Sequence, residues 1–188
     1  MIEFYLSFLE KMQQSQLLKE DFSINKIESF LQEPALPTLR VGETYIKSAE
    51  LKLKKIDFKN KFIVLNTGGS WKTKRWPEEY FAEIAELIAE RGYSILFVGG
   101  PSDTERVSYI GKKIENKEMI YDLSGKTSLL ELAALLKKAK LVISGDTGPV
   151  HVAAAVGTNT VTIFGPSDEE KYAPRGRGEK KKKKNVDL

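Results

Sequence analysis

Asp146, Thr147 and Gly148, with His151 one helical turn further, gather a carboxylate, a hydroxyl, a bare backbone position and an imidazole in one short stretch. They sit where a β-rich run, LVIS, gives way to small apolar residues of helical character. Free N–H groups and the dipole at a helix start favour an anion. Gly148 carries no side chain, so a phosphate can approach the backbone there. Pro149 suits the first helical position, because its missing N–H would be unpaired anyway. The chemistry this spacing suits is phosphate binding beside a hydrogen-bonding carboxylate.

The elements that hold these residues are legible around them. The stretch 141–166, LVISGDTGPVHVAAAVGTNTVTIFGP, reads as strand, tight turn, helix and strand, stopped by Gly165 and Pro166. Upstream, FIVLN from Phe62 reads as a buried strand, and 77–91 as an amphipathic helix closed by Gly92. YSILFV is a second strand, followed by a helix to about Glu115 capped by Ser102 or Asp103. MIYDL is a weaker third strand, and Ser128 caps the helix LLELAALLKKA, whose last turn is rich in lysine. Strands alternating with such helices predict an α/β fold, a doubly wound parallel sheet with right-handed crossovers over residues 60–175. Ligands of such sheets bind at the carboxyl ends of the strands.

Three more loops open on that edge. The first holds Thr67, Gly68, Gly69, Ser70, Lys72, Lys74, Arg75 and Trp76; the second runs from Gly99 to Asp103; the third is Ser124, Gly125, Lys126 and Thr127. Glycines, hydroxyls, cations and a few carboxylates together suit a phosphorylated nucleotide that carries a polyhydroxyl group. Neither GxxxxGKS/T nor GxGxxG occurs, so the P-loop and dinucleotide fingerprints do not apply.

Residues 1–59 read as helical linker: Ile2, Tyr5, Leu6 and Leu9 share one face, Ser23 can cap a short helix, and Pro34 and Pro37 interrupt the chain. A further amphipathic helix is expected over 44–56, then a polar hinge over 57–61. The 188 residues contain no cysteine, which removes disulfides and thiolate metal sites. Met1 opens an amphipathic stretch with acidic residues, unlike a secretory signal, and the apolar runs fall short of a membrane span. The formal net charge is +4. Five of the 30 basic residues lie at 180–184, leaving 25 against 26 acidic ones. The basic character belongs to the tail, expected to be disordered over 176–188, and argues for no specific nucleic-acid partner.

SGDTGPVHVAAAVGTNTVTIFGPSD, preceded by NTGGSWKTKRWPEEYFAEIAE, resembles the donor half of family 9 glycosyltransferases, the ADP-heptose:lipopolysaccharide heptosyltransferases and their relatives. The resemblance spans residues 60–175. It implies the Rossmann-like C-terminal half of a GT-B fold, with an N-terminal helical segment before it. It implies a metal-independent, inverting transfer without cofactor, from ADP-heptose or a similar nucleotide sugar to a lipopolysaccharide core or lipid A acceptor. The resemblance puts such an enzyme in the cytoplasm, with peripheral contact at the inner face of the inner membrane. Carried over by motif, Lys74 is a ligand of the donor pyrophosphate and Ser70 lies near the phosphates. Asp103 meets the ribose, Thr127 lines the base pocket, and Asp146 meets sugar hydroxyls. Thr147 and Gly148 hold phosphate, and His151 lies near phosphates or sugar.

The residues keep plainer readings open. Asp146 and Asp103 could be helix caps, with Glu105 the alternative acid, and His151 a half-buried helix residue. Lys72 and Arg75 compete with Lys74, and Trp76 reads better as a packing anchor than as a stacking platform. No catalytic base is assignable. The family's acceptor domain has no counterpart in the residues before Phe62, and the lysine run implies an A-rich coding tract. The expectation is a fragment or truncated frame that is inactive by itself; a nucleotide-sugar-binding module without catalysis is the alternative.

Overall fold

A computed structural model describes residues 37–56, 61–69, 71–176 and the backbone of 180–184, with the side chain of Lys72 left aside. The readings that fall on 1–36, on 57–60 and on Ser70 lie outside the described residues. The chain after Leu36 builds one α/β unit. Helix α1 (Glu43–Lys55) is followed by β1 (Phe62–Asn66), α2 (Glu78–Ala89), β2 (Ser94–Val98), α3 (Thr104–Lys113) and β3 (Ile120–Asp122). Then come α4 (Leu129–Lys138), β4 (Leu141–Gly145), α5 (Gly148–Ala155), β5 (Thr160–Phe164), the single turn α6 (Glu169–Tyr172) and β6 (Lys180–Lys184).

All strand pairs are parallel and the order is β3-β2-β1-β4-β5-β6. This is the Rossmann order, a doubly wound sheet whose winding reverses between β1 and β4. Alternation along each strand feeds two cores. Phe62, Val64, Leu96, Val98 and Val142 pack beneath α1, α4 and α5. Ile63, Leu65, Ile95, Phe97, Ile143 and Ile163 pack beneath α2 and α3. Burial on both faces explains why the strands read as unbroken apolar runs.

The helices end as their sequences direct. Ser128 Oγ accepts from the Glu131 N–H while the Glu131 carboxylate accepts from the Ser128 N–H at 2.8 Å, a reciprocal cap at the head of α4. Gly92, at φ +75, turns the chain out of α2 into β2.

Two expectations change. The domain begins well before residue 60: Val41 and Ala49 are buried in the first core, with Leu39, Ile46, Leu53 and Ile56 packed on it. Their pattern announces an amphipathic helix, but a helical stripe names no partner, and here the partner is α4 of the same unit. The lysine run is no disordered tail either. Its backbone pairs with β5 from Thr160↔Lys180 to Phe164↔Lys184. Ladder bonds use only main-chain groups, which lysine supplies as well as valine, and lysine is a common residue on edge strands. Gly176 packs closely on α5: a Cβ there would lie 1.9 Å from the Ala154 carbonyl oxygen.

Candidate functional site

At the winding reversal the ends of β1 and β4 diverge, and the loops after them enclose a cleft of about 620 Å³. Its floor is Asn66, Gly68 and Gly69 after β1 and Asp146, Thr147, Gly148 and Pro149 after β4. Gly99, Gly100, Ser102 and Asp103 form one side, and the segment from Thr127 to Leu129 with Leu132 forms another.

Asp146 and Lys74 are the charged centre. Lys74 Nζ donates to Asp146 Oδ2 at 2.9 Å, and the carboxylate is only 8% exposed. Burial pushes the Asp146 pKa up. Hydrogen bonding from Lys74 and the nearby Ser167 hydroxyl, with the charges of Lys74 and His151, outweighs burial and holds it below the ordinary value. Ser167 stands close enough to act on the carboxylate, although its buried Oγ has no well-formed hydrogen bond among the described residues. His151 Nε2 stands 3.6 Å from Asp146 Oδ1, with 46% of its side chain exposed. It backs the carboxylate and does not line the cleft. Lys74 also stands 5.7 Å from the Tyr172 ring centroid, so the turn α6 flanks the same cation.

Helix α5 opens into this centre. Thr147 is its N-cap residue, yet the Thr147 side chain makes no capping bond. Its Oγ1 is engaged instead by Asn66 Nδ2 at 2.9 Å and Ser144 Oγ at 3.1 Å. The helix therefore presents N–H groups that its own cap does not use. Pro149 takes the second helical position, one later than its sequence suggests.

Asp103 is not an exposed carboxylate; it holds the N-cap position of α3, but its side chain makes no capping bond to that helix. It is 7% exposed, and its Oδ2 accepts the Gly100 N–H at 2.8 Å. A Cβ on Gly68 would lie 2.3 Å from that oxygen and one on Gly99 would lie 2.9 Å from it. Asp103 thus fills the seam between the loops after β1 and β2. Glu105, the alternative acid, is exposed on α3 and does not line the cleft.

Lys74, Asp103, Thr127, Asp146, Thr147 and Gly148 all line one cleft, with His151 behind it and Ser70 outside the described residues. Arg75 lines it too, its Nε donating to the Gly69 carbonyl at 2.7 Å. Trp76 packs edge-on against Phe81, with centroids 5.1 Å apart. That is the anchor role, and the Trp76 carbonyl accepts from Arg106. Sequence reasoning passed over Asn66, Ser144, Trp71, Leu129 and Leu132. A polar residue closing an apolar run, as Asn66 and Ser144 both do, was the available signal. Trp71, 69% exposed at the cleft wall, had none.

The model of glycosyltransferase family 9 (heptosyltransferase) matches residues 31–184. The chain belongs to glycosyltransferase family 9. It is 34% identical over 119 residues to lipopolysaccharide heptosyltransferase 1 of Pseudomonas aeruginosa, covering 63% of this chain and 32% of that relative. It is 32% identical over 139 residues to lipopolysaccharide heptosyltransferase 3 of Escherichia coli, covering 73% and 40%. Among solved structures, the family 9 glycosyltransferase of Veillonella parvula superposes with TM-score 0.73 at 29% identity, over 79% of this chain and 42% of that one. An Escherichia coli heptosyltransferase solved with ADP gives 0.59 at 29% identity, over 65% and 38%. This family 9 chain therefore spans 32% to 42% of the length of these four relatives. Among the described residues no cluster of three or more His, Cys, Asp or Glu could hold a metal. No described helix is long and apolar enough to cross a membrane.

Proposed function

We propose that this unit is the donor-binding half of a GT-B glycosyltransferase, taking ADP-heptose or a similar ADP-sugar for transfer to a lipopolysaccharide core acceptor. The carrying observation is the Lys74–Asp146 pair at 2.9 Å, set at the uncapped head of α5 inside the cleft. A leaving diphosphate needs its charge neutralised as the glycosidic bond breaks. Lys74 and the N–H groups of α5 do this, with no metal ion required. Asp146, held ionised, accepts hydrogen bonds from sugar hydroxyls and orients the anomeric carbon for in-line attack. Thr127, Leu129 and Leu132 offer a mixed apolar wall for the base, and Asp103 lies on the ribose side. The described cleft supplies the donor side of the reaction; the acceptor and the base that takes its proton belong to the facing acceptor domain of a GT-B fold. The reaction takes place in the cytoplasm, at the inner face of the inner membrane, where a lipid-linked acceptor is reached by peripheral contact.

Isothermal titration of the chain with ADP-heptose, ADP, UDP and GDP tests the reading. Trp71 fluorescence serves as a second signal, because Trp76 is packed away from the cleft wall. The adenine nucleotides should bind and the others should bind more weakly. Equal affinity for all four, or none for any, would overturn the donor assignment. Addition of a family 9 acceptor domain distinguishes a transferase half, which regains transfer, from a binding module, which does not.

A further inference from the structure

The hydroxyl of Thr147 is held from behind by Asn66, the first residue of the NTGGSWKTKRW stretch, to which no role was carried over. Asn66 ends β1 in register with Ser144 of β4, and both are buried, Asn66 at 2% exposure. A carboxamide nitrogen carries two hydrogens, and both are placed. One goes to Ser144 Oγ at 2.9 Å and one to Thr147 Oγ1 at 2.9 Å. Ser144 gives its own proton to the Gly145 carbonyl at 2.9 Å. Thr147 Oγ1 therefore receives a hydrogen from Asn66 and keeps its own to give. Within the protein its outlets are Ser144 Oγ at 3.1 Å and the Gly145 carbonyl at 3.5 Å, the latter at the edge of hydrogen-bond range. The opposite carboxamide orientation would draw the Thr147 and Ser144 protons inward and break the Ser144 bond to Gly145. The donor pattern of the three residues selects the orientation described.

We propose that Asn66 is a positioning residue of the site: by donating to Ser144 and Thr147 it leaves the Thr147 hydroxyl as a proton donor to an anionic phosphate oxygen in the cleft. The inference rests on the donor-site reading above and adds to it how the threonine is set to donate to an anion and not to ligate a cation. The same network explains why Thr147 does not cap α5, since its oxygen is already claimed.

Titration of the full chain with ADP and with adenosine separates this role from a structural one, because adenosine lacks the phosphates. Asn66→Ala should weaken ADP by about 3- to 10-fold, as loss of one oriented hydrogen bond does, and leave adenosine within about 2-fold of wild type. In a Thr147→Val background the same change should cost less than about 2-fold, since the group it acts through is gone. Asn66→Asp, close in size, covers the case in which the alanine variant does not fold. Its carboxylate only accepts, so it should weaken ADP more as pH rises through the titration of the new carboxyl. Equal losses for ADP and adenosine, full additivity with Thr147→Val, or wild-type ADP binding by Asn66→Asp would each overturn the inference. Failure of the wild-type chain to bind ADP would instead remove the donor site, and this inference with it.

Discussion

Replacing Lys74 by Met keeps the bulk of the side chain and deletes its charge. Two consequences follow from the geometry. A unit charge about 4 Å from a phosphate oxygen gains roughly 4 kcal/mol at an effective dielectric near 20. Lys74 is 30% exposed and already shared with Asp146, so the net loss should fall to about 1.5–3 kcal/mol, the range of a charged hydrogen bond. That is roughly 10- to 150-fold in the Kd for ADP. The second consequence concerns Asp146, left 8% exposed with Ser167 and His151 beside it among the described residues. Burial, already the largest influence on this carboxyl, would then dominate and raise its pKa, so Lys74→Met should be less stable than wild type at neutral pH. Titration calorimetry with ADP, paired with thermal unfolding at several pH values, measures both. Wild-type ADP affinity in a folded Lys74→Met protein would refute the assignment of Lys74 to the diphosphate.

Other changes probe the frame around the site. Gly68→Ala places a methyl 2.3 Å from Asp103 Oδ2; the carboxylate must leave the Gly100 N–H, and overpacking should cost about 1–3 kcal/mol in thermal or urea unfolding. The Glu131 carboxyl is lowered from the ordinary 4.5 to about 2, first by the Ser48 hydroxyl bond and then by the Ser128 N–H, with Lys52 nearby. A depressed carboxyl contributes stability that is whole above the unfolded pKa and is lost as pH falls through the folded one. Wild type should thus lose about 1 kcal/mol between pH 4.5 and 2 from this group, after solvent screening, and Glu131→Gln should flatten that part of the acid unfolding curve. Asp146, also held low, adds to the same acid limb with the same sign.

Much of this protein was legible from its residue order. Short unbroken apolar runs mark the strands, and Gly92 after α2 and the Ser128–Glu131 pair mark the ends of helices, through local physics, so they appear in the string itself. The loops that carry Lys74, Asp103, Thr127 and Asp146 follow from strands that all run one way, because parallel strands put their carboxyl ends on one edge. What a residue order does not contain is the distance between segments far apart in it. The Lys74–Asp146 bond, the Asp103 wedge against Gly68, and the Asn66–Ser144–Thr147 network each join loops brought together only by sheet order and register. Seating α1 on α4 and pairing the lysine run with β5 are of the same kind. An amphipathic stripe needs some apolar surface and an open strand edge needs some backbone; folding in three dimensions decides which.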